Sequence, residues 1–84
     1  MWKFPLKLVN GRQPIKMPAG ATPLHVAMQD GVPCIWAYLD SENPKEPRGF
    51  AVIGTGHEIP RDALHIGTCM DRCFVWHIFE LPPV

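Results

Sequence analysis

Apolar and polar residues alternate from the first positions of the chain. Trp2, Phe4, Leu6 and Leu8 fall on one side, Lys3, Pro5 and Lys7 on the other, the period-two pattern of a half-buried strand, and Pro5 predicts a sheet edge. Asn10-Gly11 is a hairpin dipeptide. It predicts a return over residues 12–17, with Ile15 and Met17 inward, until Pro18 and Gly20 break the run. Residues 22–29 alternate again, Leu24, Val26 and Met28 against His25, Ala27 and Gln29. Asp30-Gly31 then predicts a second hairpin into residues 32–39.

The polar stretch 40–48, with Pro44 and Pro47, reads as a mobile loop. Further strands are predicted over 49–55, 65–69 and 73–80, with a turn at Met70-Asp71-Arg72 and an extended tail over 81–84. Between them, residues 56–64 contain Pro60 and have room for one short helical turn at most. Six to seven short strands predict an all-β chain, a small antiparallel β-sandwich or barrel forming a single domain over 1–84.

Two predicted strands are apolar on both faces. Cys34, Trp36 and Tyr38 oppose Ile35, Ala37 and Leu39, and Phe74, Trp76 and Ile78 oppose Val75 and Phe79. A single antiparallel layer would leave one such face wet. The surplus is explained by a subunit interface, a stacked planar ligand, or plain exposure; a homo-oligomer is the expectation, since small domains gain burial by association.

Composition narrows the classes. Eight Lys and Arg against eight Asp and Glu give formal neutrality, which argues against nonspecific nucleic-acid binding. No apolar run approaches a membrane span, and residues 1–5 lack the apolar stretch of a signal peptide. Three cysteines do not make a closed disulfide set. A reducing cytoplasm is the expected location.

Two Gly-Thr segments carry the candidate chemistry: Ile53-Gly54-Thr55-Gly56-His57 and His65-Ile66-Gly67-Thr68. Glycine lets successive N–H groups converge into an anion-binding concavity; the same segments also suit ordinary turns or bulges, with His77 a core histidine. As a site, Gly54, Thr55, Gly56, Gly67 and Thr68 would hold phosphates. His57, His65 and Arg61 would supply charge, and Trp36 or Trp76 would stack on a base. Cys69 and Cys73 are spaced C-x3-C with no second pair, so no metal is expected. His57-Glu58, adjacent on extended chain, would point apart. No hydrolase, zincin or P-loop motif is present, and Thr55 or Thr68 would be a nucleophile only with a base fixed beside it. Binding without catalysis, and without a cofactor, is the expectation.

The segments Trp2-Lys3-Phe4-Pro5-Leu6, Met17-Pro18-Ala19-Gly20-Ala21, Ile53-Gly54-Thr55-Gly56-His57, Ile66-Gly67-Thr68 and Val75-Trp76-His77-Ile78-Phe79-Glu80 together resemble a family of short uncharacterised bacteriophage and prophage proteins, over nearly the whole chain. The resemblance implies an accessory phage protein acting in the host bacterial cytoplasm. In that context the expected function is to antagonise host defence by sequestering a small signalling nucleotide. A protein-binding inhibitor docking on a host defence complex and a minor virion protein are the alternatives.

Overall fold

A computed structural model describes residues 1–9 and 11–83. Seven strands occur in chain order: β1 (Trp2–Pro5), β2 (Gln13–Pro18), β3 (Thr22–Gln29), β4 (Val32–Tyr38), β5 (Lys45–Gly54), β6 (Leu64–Asp71) and β7 (Phe74–Leu81). All pair antiparallel, in a three-stranded sheet of order β1-β4-β3 and a four-stranded sheet of order β2-β5-β7-β6. No described residue is helical. The expected β-sandwich is therefore the architecture.

The alternation places the core. Phe4 and Leu6, Met17, Val26, Ile35 and Ala37, Phe50 and Val52, Cys69 and Ile78 meet between the sheets. β1 is an edge strand, as Pro5 predicts. The β3–β4 hairpin forms at Asp30-Gly31, both with positive φ (52° and 77°), the type I′ signature that matches strand twist.

The first predicted hairpin does not form. β1 pairs with β4 in one sheet and β2 with β5 in the other. Gly11 has the positive φ of a turn residue, while Asn10 lies outside the described residues. The crossing is held by Gln13, whose buried amide accepts from Lys7 N–H and donates to Lys7 C=O (2.8 and 2.6 Å). Leu6 N–H donates instead to Pro33 C=O at 2.8 Å, extending the pairing with β4.

Residues 45–48 are strand rather than loop: they pair with Pro18 through Ile15. The first half of β5 has only β2 beside it, where Pro47 and charged side chains are tolerated. The last hairpin turns at Arg72 and Cys73, with Asp71 and Phe74 closing it; Met70 and Asp71 belong to β6, and Leu81 to β7 rather than a tail. Leu24 departs from its predicted inward face. A bulge between Pro23 and His25 turns it out, and it is 56% exposed.

Candidate functional site

β7 brings the two Gly-Thr segments together. Its inward residues are Trp76 and Ile78, packed on the core, so His77 stands on the outer face of the four-stranded sheet. It pairs across to Ile53 on β5 and to Thr68 on β6. His77 is thus not the core histidine that the sequence allowed.

Two local irregularities complete the cluster. Gly54 ends β5 and accepts a turn bond from His57 N–H at 3.2 Å, with Gly56 at φ 93° in the third position, as a type II turn requires. The turn returns the Thr55 hydroxyl to His77 Nε2, 3.0 Å away. On β6 a bulge lies between His65 and Gly67. Residues three apart on a regular strand face opposite ways; the extra residue puts His65 and Thr68 on one face. Thr68 Oγ1 lies 2.9 Å from His65 Nε2 and 3.0 Å from His77 Nδ1. The result is an unbroken chain, His65–Thr68–His77–Thr55, across β6, β7 and the turn that follows β5.

A groove of about 410 Å³ opens over this chain. Ile53, Ile59 and Phe79 supply its apolar walls, Thr55, His57, His65 and His77 its polar groups, and Gly54 and Gly56 its exposed backbone. Among the described residues no carboxylate, Lys or Arg lines it. Phe79 is only 6% exposed although it is on the outer face. His65 stands edge-on to its ring at 5.3 Å, so the surplus apolar face of β7 is covered in part by the chain itself.

The other expected site residues are dispersed. Gly67 lies within β6 rather than in a turn, facing Val26 across the sandwich. Arg61 is exposed in the connection between β5 and β6, with no hydrogen bond or ion pair among the described residues. Trp76 borders a neighbouring groove of about 450 Å³ that shares Gly54 and His57 and includes Glu58. Trp36 is on the three-stranded sheet beside His25, away from the cluster. His77, Ile53, Ile59 and Phe79 are the residues the sequence reading missed. For His77 the signal was present, in its alternation with Trp76 and Ile78.

All three thiols are free, Cys34 and Cys69 buried and Cys73 exposed. Burial pushes the Cys69 thiol above its ordinary range, with Cys34 and Asp71 adding to the shift. Among the described residues no three His, Cys, Asp or Glu side chains converge as metal ligands would.

Residues 1–84 match the model of a family described as a domain of unknown function, DUF7352. The chain belongs to the DUF7352 family. No curated protein and no solved structure matches it. For this DUF7352 chain the groove geometry is therefore the guide to function.

Proposed function

We propose that the groove over His77 binds a small phosphorylated ligand, a nucleotide in the first instance, and that the protein acts by sequestering it. One observation carries the reading: both Gly-Thr segments converge on His77, giving a groove with three imidazoles, a threonine hydroxyl and no carboxylate. Imidazoles and hydroxyls donate to phosphate oxygens without the repulsion an acid would add. Phe79 and Ile59 offer an apolar wall to a base, and Arg61, on the same loop as Ile59, is free to reach an anion. Trp36 has no part in this site. In the phage setting that the sequence resemblance implies, sequestration of a signalling nucleotide would oppose host defence.

Thermal unfolding with a panel of nucleoside mono-, di- and triphosphates and cyclic nucleotides tests the reading. A ligand at a hundredfold its Kd stabilises the fold by about 2.7 kcal/mol. One member of the panel should raise Tm, and His77→Ala or His65→Ala should abolish the rise. If no nucleotide moves the Tm of the wild-type chain, the sequestration reading fails.

A protein-docking reading has its own observation. Leu64, Met70 and Phe74 are all 59–67% exposed near the β6 edge, apolar surface that suits a host protein or a second copy of the chain.

A further inference from the structure

We propose that the groove also carries an activated nucleophile, Thr55, with His77 as its general base and Thr68 and His65 as positioning residues. A hydroxyl becomes a nucleophile when a base lies within hydrogen-bond reach and a third group orients that base. All three parts are present. Thr55 Oγ1 is 3.0 Å from His77 Nε2, His77 Nδ1 is 3.0 Å from Thr68 Oγ1, and Thr68 Oγ1 is 2.9 Å from His65 Nε2. Thr55 lines the groove and Thr68 does not, which singles out Thr55 as the attacking group.

Each contact in the chain holds one proton, so the protons run in one sense or the other while both imidazoles are neutral. Catalysis requires the sense in which Thr55 O–H donates to His77 Nε2, His77 Nδ1–H to Thr68, and Thr68 O–H to His65. The substrate class is an ester with a short acyl group, seated against Ile53, Ile59 and Phe79. Thr55 Oγ bonds to the acyl carbon and its proton passes to His77 Nε2. The tetrahedral intermediate then breaks its bond to the leaving alcohol, which takes that proton. Water, deprotonated by the same nitrogen, releases the carboxylic acid and restores Thr55. Gly56 borders the groove and its N–H makes no turn bond among the described residues, so it is a donor available to the developing oxyanion.

This activity does not rest on the ligand being a nucleotide. The probe is p-nitrophenyl acetate with the full chain, read as p-nitrophenol release and, after acid quench, as an acetyl group located by peptide mass spectrometry. The wild-type protein should carry acetyl on Thr55 and turn over at least about tenfold faster than Thr55→Val or His77→Gln. Thr55→Ser should retain both acetylation and turnover, which separates lost chemistry from lost folding. Thr68→Val, acting through His77, should lower kcat with KM unchanged and displace the acidic limb of the pH–rate profile. Acetyl found only on lysines or the N-terminus, a Thr55→Val protein as active as wild type, or ¹⁵N spectra placing the His77 proton on Nε2 would each overturn the proposal. Nucleotide-dependent Tm shifts are independent of all three results.

Discussion

Gly67 marks a point of close approach between the two sheets. A Cβ added there would stand 2.9 Å from Val26 Cβ and 2.9 Å from its Cγ2, and β3 and β6 belong to different sheets, so relief requires the layers to separate locally. Gly67→Ala should therefore destabilise the fold by about 1–3 kcal/mol, the usual cost of overpacking, read from the urea midpoint. Val26→Ala in that background should return only part, because the Cβ remains. A Gly67→Ala protein as stable as wild type would show that the approach is no constraint. Gly54 is milder: its Cβ would meet the His57 and Trp76 rings at 3.2 and 3.3 Å, and a surface imidazole can swing aside.

Cys69 gives the pH prediction at this scale. Its Sγ lies 3.4 Å from Met28 Sδ across the sandwich, and burial first, then Cys34 and Asp71, raise its pKa above the reference 9.0. The folded state thus holds the proton more tightly than the unfolded state. That contribution is fully present below the unfolded thiol pKa and is lost as pH rises through the folded value. The stability advantage of wild type over Cys69→Ala should shrink between neutral pH and the alkaline range, measured by paired urea titrations. An advantage that stays constant would deny the shift.

Among the elements, two hairpin dipeptides met different fates for a physical reason. Asp30-Gly31 joins strands whose apolar positions, Val26 and Met28 against Ile35 and Ala37, all face one core when paired in register. Local and tertiary preferences agree there, so the hairpin was legible in the sequence. Gly31→Ala, forced to φ 77°, should cost about 1 kcal/mol, while Asp30→Asn should be close to neutral. Equal stability of Gly31→Ala and wild type would remove the type I′ argument. The hairpin predicted between β1 and β2 gave way to sheet partition, β1 pairing with β4 and β2 with β5. Pattern along a chain does not specify which sheet a strand joins. Bulges are likewise silent in alternation, yet the one on β6 puts His65 beside Thr68 and creates half of the site. The strand character of 45–48 was hidden because pairing with β2, not apolar content, stabilises it. What could be read in advance was that Thr55, His57, His65 and Thr68 are candidate polar groups; what could not was that β7 would place His77 in hydrogen-bond contact with both threonines.

On the scale of the whole molecule, Arg48 adds a polar link between the two sheets to the packed core. Its Nε and Nη2 donate to Glu80 Oε2 and Oε1 at 2.7 and 2.8 Å within the four-stranded sheet. Its Nη1 donates to the carbonyl of Ala21, the residue preceding β3 of the other sheet. The bidentate pair fixes the guanidinium plane, and the fixed plane aims the third bond across the sandwich. The hydrogen bond to Glu80 also raises the guanidinium pKa further, so Arg48 stays charged at every working pH. With side chains 19% and 21% exposed, the pair should respond less to salt than a surface bridge. Glu80→Ala leaves the cation without its carboxylate and should cost about 1–3 kcal/mol. Arg48→Met loses the same pair together with the inter-sheet bond, so the double variant should be less destabilised than the sum of the singles. A double-mutant cycle in urea, repeated at low and high salt, measures that coupling. Energies that add within about 0.5 kcal/mol would mean that the two side chains act separately.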